Sequence, residues 1–442
     1  MRLLIWTSRL LVGALFIFSG FIKANDALGF SYKLEEYFEK FASIFNENGL
    51  AFLAYPMEWM AHLSFPFAVV IVVAEMTLGV LTLVGAFMER VSKYLLVMIL
   101  FFTILTFVSW YFEIVKTCGC FGEAIPLTPF QSFVKDIILT LLIVVIFIFR
   151  KSMTSLLSPA GDKISLWSST FIGFLFTWYC FQHLPLIDFR PYAIGKHILP
   201  QMKPVKGNPL TLYKLKHKES GTEVQLADLP MPFDPWEYIE PVPVTGEISI
   251  KEIEIDSTGF TTRVVEIPDF FKDSWKVLSE ETEVFVPDQD PKIMQLSAFD
   301  YKAQDQDYLQ EMLVDSAHYF WLVIRDFKKL GEFVQADDGK VFMPSSYGKE
   351  FATYLHQLRK EASAANVQLY AMVSEGIPEN VGAFRQAMEA SFPFYVCDDT
   401  ELKTMIRSSP GLVLLKGDQV VAKWHENDML EFEEIQNQHI NQ

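Results

Sequence analysis

Five apolar stretches in the first 184 residues dominate the pattern of hydrophobic and polar positions. Each approaches the roughly 20 residues that a helix needs to cross the hydrocarbon core of a bilayer. They run over Leu3–Ile22, Phe65–Phe87, Tyr94–Phe112, Phe130–Phe149 and Ile164–Leu184. The pattern predicts five membrane-spanning helices, the first of them interrupted by Arg9. A signal peptide is the alternative for the first stretch, but no convincing small-residue cleavage site follows it.

Positive residues favour one orientation of these spans, because short loops rich in Lys and Arg stay in the cytoplasm. Such residues begin the chain and fill the loops after the second and fourth spans: Arg2, Arg9, Arg90, Lys93, Arg150, Lys151 and Lys163. The sequence therefore predicts a cytoplasmic N-terminus and a C-terminal half on the outer side. Two amphipathic stretches on that side, Leu34–Phe45 and Leu50–Leu63, are typical of helices that cap a bundle at the membrane surface.

The second half of the chain has the pattern of a water-soluble region. Residues 191–291 are rich in proline, and they contain two alternating patches that predict short strands, Glu247–Asp256 and Thr261–Ile267. From residue 292 strands alternate with helices before a hairpin and a last helix, which predicts a parallel sheet with an antiparallel edge. The predicted strands are Tyr319–Ile324, Val367–Val373, Phe392–Val396, Leu412–Lys416 and Val420–Trp424, and the predicted helices are Tyr347–Ala362, Glu379–Glu389, Glu401–Arg407 and Met429–Gln436.

This order of elements resembles the thioredoxin-like fold. In that family a proline, usually cis, precedes the final hairpin, and Pro410 in Ser409-Pro410-Gly411 matches it. The resemblance makes this loop a candidate for binding a partner. The family's Cys-x-x-Cys motif follows the first central strand, where this chain reads Arg325-Asp326-Phe327-Lys328-Lys329-Leu330-Gly331. Because a thiolate is the nucleophile in disulfide exchange, this domain cannot perform the usual reaction by itself.

Composition and charge support the same division of the chain. Of the 442 residues 51% are hydrophobic and only 21% are charged, which excludes a disordered chain. Residues 1–200 have a net charge of +1, whereas residues 201–442 have a net charge of −18. Nucleic acid is excluded as a partner, because phosphate binding needs a basic face.

The candidate chemistry lies on the outer loop between the third and fourth spans. Cys118 and Cys120 are two thiols one residue apart, and a disulfide between them closes a small, strained ring that is easily reduced. Gly119 removes the side chain that would resist this ring. No metal is predicted, because a metal site needs more ligands and no His lies close in sequence. Pairing of one cysteine with Cys180 as a static staple, and two reduced bystander thiols, are the remaining alternatives.

The same loop supports a second resemblance. Cys118-Gly119-Cys120-Phe121-Gly122 is similar to the motif of the MauE branch of DoxX-like membrane proteins, and Phe18–Lys23 and Glu75–Gly79 are similar to their first and second helices. The resemblance covers residues 1–150 and implies a helical bundle of the bacterial inner membrane that is associated with disulfide formation in exported proteins. The predicted architecture is therefore a bundle at 1–150, a cytoplasmic loop and fifth span at 151–190, the proline-rich region at 191–291, and a periplasmic thioredoxin-like domain at 292–442.

Four ionisable residues near the outer ends of the spans are candidates for a proton relay or for a structural polar clamp. Glu75 stands about nine residues into the second span, where a carboxylate must be protonated, paired or in a polar cavity. Lys23, Lys135 and Asp136 are its possible partners. Oxidation of a dithiol releases two protons and two electrons, and a membrane quinone is the predicted electron acceptor.

Two functions remain open on the sequence alone. The first is a membrane thiol–disulfide redox protein that acts through Cys118 and Cys120 on exported proteins or on a separate thiol partner. The second is a non-enzymatic scaffold in which a cysteine pair fixes a loop and the degenerate domain binds a periplasmic partner. Cys397, the only thiol of the last domain, is predicted to be a small buried hydrophobe.

Overall fold

A computed structural model describes residues 2–112, 121–122, 124–204, 209–217, 223–228, 250–255, 260–265, 275–279, 283–285, 291–302, 306–336, 339–374 and 378–441. The chain divides into two compact units. Met1–Lys196 and Gln295–Gln442 form the first, and His197–Met294 forms the second. The membrane bundle and the C-terminal α/β domain therefore belong to one unit, whereas the sequence boundaries separate them.

Seven helices build the N-terminal part of the first unit. They are α1 (Arg2–Asn25), α2 (Ala27–Glu47), α3 (Ala51–His62), α4 (Ser64–Val84), α5 (Met88–Tyr111), α6 (Pro129–Ile148) and α7 (Pro159–Gln182). Five of them, α1, α4, α5, α6 and α7, are long and apolar enough to cross a membrane, as predicted. Helices α2 and α3 are the two shorter amphipathic stretches, and α2 buries Leu34, Tyr37 and Phe38.

Local sequence explains where the spans begin and end. Thr128 caps α6 in a reciprocal capping box with Gln131, and Ser158 caps α7. Each cap is followed by a proline in the first turn, which is a second signal for the start of a helix. Helix α4 ends at Gly85, whose φ of 78° is the left-handed conformation that glycine adopts without strain. These signals fix the spans to within a few residues of the apolar pattern.

Close backbone contact joins α1 to α4. A Cβ atom on Gly79 would lie 2.8 Å from the backbone nitrogen of Ile17 and 2.9 Å from the carbonyl oxygen of Gly13. A Cβ atom on Gly20 would lie 3.0 Å from the backbone nitrogen of Met76. Small residues therefore bring the two helices together, as is common between helices in membranes. Helix α5 packs on α6, and α7 packs on α4.

The C-terminal domain is built on a six-stranded mixed sheet. Its strands are β7 (Phe299–Asp300), β8 (His318–Ile324), β11 (Gln368–Ser374), β12 (Phe394–Cys397), β13 (Gly411–Lys416) and β14 (Gln419–His425), in the spatial order β14-β13-β8-β11-β12-β7. Strands β8, β11 and β12 are parallel to one another. Strand β13 pairs antiparallel with β8 and forms an antiparallel hairpin with β14. This confirms the predicted parallel sheet with an antiparallel edge. The Ser409–Pro410 peptide bond is cis. The thioredoxin-like fold of this domain stays a prediction.

Helices cover both faces of this sheet, and a separate hairpin lies beside it. The helices are α9 (Leu309–Val314), α10 (Ser346–Ala364), α11 (Pro378–Ala387), α12 (Asp399–Met405) and α13 (Phe432–Ile435). Alternate residues of β8, among them Phe320 and Leu322, belong to a continuous apolar core with α10 and α11. The hairpin of β9 (Gly331–Ala336) and β10 (Gly339–Pro344) was not predicted, nor were the short elements β7 and α9.

The second unit holds the short helix α8 (Ile198–Gln201) and two small sheets. One sheet contains β1 (Pro209–His217), β2 (Glu223–Asp228), β5 (Trp275–Ser279) and β6 (Glu283–Phe285). The other is the antiparallel pair of β3 (Ile250–Ile255) and β4 (Phe260–Val265), which confirms the two predicted strand patches.

Candidate functional site

The predicted redox cysteines lie outside the described residues. Cys118 and Cys120 fall in the segment 113–120, and the described chain resumes at Phe121 and Gly122. Phe121 is 7% exposed, and its ring lies 5.6 Å from that of Phe18 on α1. The residue that follows Cys120 in the sequence therefore packs on the C-terminal part of α1.

Lys23 and Glu75 form an ion pair inside the bundle. The Lys23 Nζ atom lies 2.7 Å from Oε1 and 2.9 Å from Oε2 of Glu75, and each residue is 3% exposed. Lys23 Nζ also donates to the Ser19 hydroxyl at 3.0 Å. A charge buried among apolar helices is tolerated when it is paired and hydrogen-bonded, and both conditions hold here.

A second buried carboxylate lies on α6. Asp136 is 1% exposed, and its Oδ1 atom lies 2.8 Å from Nζ of Lys135. The hydroxyl of Thr106 on α5 donates to Asp136 Oδ2 at 3.0 Å. The two charged pairs come from α1, α4 and α6, and the hydrogen bond of Thr106 adds α5.

Both pairs face one small cavity of about 20 Å³. Its wall is formed by Leu15, Phe16, Ser19, Lys23, Glu75, Ile99, Phe102, Phe121, Lys135, Asp136 and Leu139. The Lys135 Nζ atom lies 5.0 Å from the centre of the Phe121 ring, and the Lys23 Nζ atom lies 4.3 Å from the centre of the Phe102 ring. The structure thus gathers all four predicted relay residues into one cluster, with Phe121 in its wall. We call these four residues the buried ion-pair cluster.

A salt bridge that no local sequence pattern indicates attaches the C-terminal domain to the bundle at the start of α2. Arg407 Nε donates to Asp26 Oδ1 at 2.8 Å, and Arg407 Nη2 donates to Asp26 Oδ2 at 2.8 Å. Asp26 is also the N-cap of α2 and accepts from the Gly29 backbone nitrogen. Burial alone would raise the pKa of the Asp26 carboxyl, but the charge and hydrogen bonds of Arg407 hold it below its usual value.

A second contact involves the position at which the thioredoxin-like family has its cysteines. Arg325, the first residue after β8, donates from Nη1 to the Tyr32 hydroxyl of α2 at 2.7 Å. Its backbone nitrogen donates to the Ser409 hydroxyl at 3.0 Å, so the degenerate motif and the cis-proline loop are adjacent. The Tyr32 ring also lies 5.0 Å from Lys403 Nζ and 5.5 Å from the Arg407 guanidinium carbon. The C-terminal end of β8 therefore faces α2 of the bundle.

The loop that is predicted to bind a partner is largely buried. Pro410 and Gly411 are buried, and Ser409 is partly buried. The partner-binding role of the loop stays a prediction. We call the contacts of Asp26 and Tyr32 with Arg325, Lys403 and Arg407 the docking interface.

A cavity of about 150 Å³ lies between the bundle and the C-terminal domain. Its wall includes Gly122, which ends the predicted motif. It also includes Asp26 and Tyr32 from the bundle side of the docking interface, and Lys403 and Arg407 from the domain side. The other lining residues that bear charge are Lys23, Lys33, Glu36, Asp188 and Arg190. The chain just after Cys120 thus borders a polar space that is enclosed by both parts of the unit.

The segment after α7 makes a further link between bundle and domain. Asp188 accepts from Arg190 Nε at 2.7 Å and from Lys423 Nζ on β14. Burial would raise the pKa of the Asp188 carboxyl, but these two cations hold it well below its usual range. Asn25 at the end of α1 donates to the Ile187 carbonyl oxygen at 2.7 Å. The contacts of Asp188 with Lys423 and of Asn25 with Ile187 join residues far apart in sequence, so local patterns do not reveal them.

The two remaining cysteines are buried. Cys180 lies near the end of α7 and has no disulfide partner among the described residues. Cys397 ends β12 and is fully buried, as predicted for a small hydrophobe. His425, on β14, is also buried, and its Nδ1 atom accepts from the Asn427 backbone nitrogen, which is a local contact within the turn.

These features define a multi-pass membrane protein in which a helical bundle with a buried ion-pair cluster is joined to an α/β domain. Residues 1–149 match the family model of the methylamine utilisation protein MauE, which confirms the resemblance predicted for the bundle. Protein TlpB of Flavobacterium psychrophilum is 29% identical to this chain over 161 residues. That alignment spans 36% of this chain and 38% of the relative. No solved structure gives a significant match.

Proposed function

We propose that the protein is a membrane thiol–disulfide redox protein that acts through Cys118 and Cys120. The buried ion-pair cluster supports this proposal most. Phe121, which is bonded to Cys120, lines the same cavity as the four residues of the cluster. The resemblance of the motif to MauE-type proteins supports the same function. The orientation that places the loop and the C-terminal domain in the periplasm belongs to this proposal and is supported by the distribution of Lys and Arg.

The proposed reaction moves two electrons and two protons. When Cys118 and Cys120 join, two S–H bonds break, one S–S bond forms, and the electrons pass to a membrane quinone or to the disulfide of a second protein. In the reverse direction a client dithiol attacks the Cys118–Cys120 disulfide through a mixed disulfide and becomes oxidised. Glu75 and Asp136 are the groups that would accept and release the protons, since they are the two carboxylates that line the cavity beside Phe121.

The C-terminal domain has a structural role in this proposal. It has no cysteine at Arg325–Lys328, so it supplies no dithiol of its own. The docking interface instead holds it over the outer end of the bundle, beside Gly122. The domain then limits which partners reach the cysteine loop.

The decisive experiment traps mixed disulfides. In cells that express Cys120→Ser, the remaining Cys118 thiol should form mixed disulfides with partner proteins, which alkylation and mass spectrometry would identify. The double variant Cys118→Ser/Cys120→Ser should trap none. The matched control is Cys180→Ser/Cys397→Ser, which removes the two buried thiols and should leave trapping unchanged.

The scaffold function makes the opposite prediction in the same experiment. If Cys118 and Cys120 only fix a loop, the single variant traps no partner. In addition, the pair of the wild type then resists reduction across thiol/disulfide ratios near the poise of the compartment. Either result would reject the redox proposal.

A further inference from the structure

The C-terminal domain has a cavity walled by tyrosines, and none of its lining residues belongs to the docking interface. Its volume is about 130 Å³. Four tyrosines, two carboxylates and a histidine contribute to its wall, which is formed by Tyr308, Glu311, Met312, Asp315, Ala317, His318, Tyr319, Gln368, Tyr370 and Tyr395. The residues come from α9, from the turn after it, and from β8, β11 and β12.

The tyrosines form a continuous aromatic wall. The Tyr370 ring lies 5.8 Å from that of Tyr319 and 5.9 Å from that of Tyr395, and Tyr308 lies 5.5 Å from Tyr395. The first two pairs meet edge to face, or nearly so. Aromatic rings attract cations through the negative potential of their faces, so a wall that contains four such rings favours a cation.

Three of the four wall tyrosines have hydroxyls that the fold leaves available. Tyr319 donates to the Gly417 carbonyl oxygen at 2.7 Å, but within the described residues Tyr308, Tyr370 and Tyr395 make no hydrogen bond through their hydroxyls. Tyr395 is only 9% exposed, and solvent reaches its hydroxyl oxygen. These three hydroxyls can therefore donate to, or accept from, a ligand that enters the cavity.

The charge at the cavity is negative. Glu311 and Asp315 are both exposed, and neither forms an ion pair within the described part of the chain. Burial raises the pKa of Tyr395 to about 12, and the nearby charges of Asp300 and Glu311 add to the effect. Burial and Lys416 lower the pKa of His318, so its imidazole is neutral near pH 7. The walls therefore favour a cation.

We propose that this cavity binds a primary ammonium group, either on the lysine side chain of a polypeptide or on a small free amine. The ring faces attract the charge, Glu311 and Asp315 lie at the cavity to balance it, and the free tyrosine hydroxyls accept its N–H donors. An ammonium with a few methylene groups suits a narrow cavity with aromatic walls. This site is independent of the proposed redox function.

Binding to the full-length protein in neutral detergent tests the proposal by calorimetry. The probes are n-butylammonium chloride, the peptide acetyl-Gly-Lys-Gly-amide, and the same peptide acetylated on the lysine nitrogen. Binding of both amines with equal affinity indicates a free amine as the ligand, and stronger binding of the peptide indicates a polypeptide lysine. The acetylated peptide should bind at least about tenfold more weakly. Equal binding of the acetylated peptide, or no saturable binding of any probe, overturns the proposal.

Variants of the lining residues locate the site. The affinity for the ammonium probe should fall about tenfold in Glu311→Gln/Asp315→Asn and by a few-fold in Tyr395→Phe, two variants that keep side-chain volume. The matched control is Glu350→Gln, which removes an exposed carboxylate of α10 and should leave binding unchanged. Tyr370→Leu removes a ring face and should also weaken binding about tenfold. If the carboxylate variant and its control bind equally well, the cavity is not the site.

Discussion

Lys23 and Glu75 place two charges inside the bundle, where each depends on the other. Removal of one partner leaves an uncompensated buried charge and costs about 3–5 kcal/mol. We therefore expect Lys23→Met to lower the thermal unfolding temperature strongly, and Lys23→Met/Glu75→Leu to recover much of the loss. Unfolding in detergent, followed by circular dichroism, measures both.

The double substitution also separates stability from redox function. If the pair is only a structural clamp, the recovered double variant keeps the redox behaviour of Cys118 and Cys120. If the pair handles protons, the double variant is folded but oxidises its dithiol more slowly, and the rate loses its pH dependence. Lys40→Met, which removes an exposed lysine of α2, is the control for a change of charge alone.

Arg9 shows what sequence reasoning misses at the scale of one residue. Hydropathy marks it as an interruption of the first span, yet its Nε donates to the Thr82 carbonyl oxygen at 2.8 Å and its Nη2 to that of Leu83 at 2.7 Å. These are carbonyls at the end of α4 that have no partner within their own helix. A single-sequence pattern contains no signal for such a contact, because it joins residues 73 and 74 positions apart.

At the scale of helices, the contact of α1 with α4 depends on the absence of side chains. A Cβ atom on Gly79 would meet two backbone atoms at less than 3.0 Å, and backbone cannot yield as a side chain can. Gly79→Ala should therefore separate the helices and lower stability by about 1–3 kcal/mol. In the control Gly173→Ala on α7, the new Cβ atom meets only ordinary contacts, the nearest at 3.6 Å from Met76 Sδ.

The two alanine variants have a readout beyond stability. Since Lys23 and Glu75 come from α1 and α4, a displacement of these helices should weaken the pair in the Gly79 variant and not in the Gly173 variant. Cross-linking between cysteines introduced at Phe16 and Thr82 would report the separation. Equal cross-linking in the two alanine variants would contradict the packing argument.

The elements that hydropathy and periodicity predicted well are those with a strong local pattern. The five spans and the alternating strands and helices after residue 292 have apolar runs that decide their type. The β9–β10 hairpin was missed although Asp338-Gly339 stands between two stretches that contain alternating apolar residues, which is a recognised hairpin signal.

The grouping of Glu75 with Lys23 was predictable, because an intramembrane carboxylate requires a partner. The docking interface was not predictable from the sequence. Its central contact joins Asp26 and Arg407, which are 381 positions apart, and such a contact gives no local sequence pattern.

At the scale of the whole molecule, the docking interface should fail when its central ion pair is broken. Arg407→Ala leaves the partly buried Asp26 without its ion-pair partner, at a cost of about 1–3 kcal/mol. We expect faster hydrogen exchange in the first turn of α2 and around Ser409, measured by mass spectrometry. Lys360→Ala, an exposed substitution on α10, should leave exchange at both places unchanged. Unchanged protection of α2 in the Arg407 variant would show that other contacts hold the domain.

The same interface should respond to acid in a defined direction. The folded pKa of Asp26 is held below its ordinary value of 3.8, because the charge and hydrogen bonds of Arg407 outweigh the effect of burial. A carboxyl of this kind contributes stability that is fully present well above pH 3.8 and is lost as the pH falls through its folded pKa. Protection of α2 should therefore be constant from about pH 8 to pH 5 and decrease below about pH 4. Asp26→Asn cannot ionise, so its protection should be lower near neutral pH and should change less in acid. If the wild type and this variant lose protection in parallel below pH 4, a different carboxyl controls the attachment of the domain.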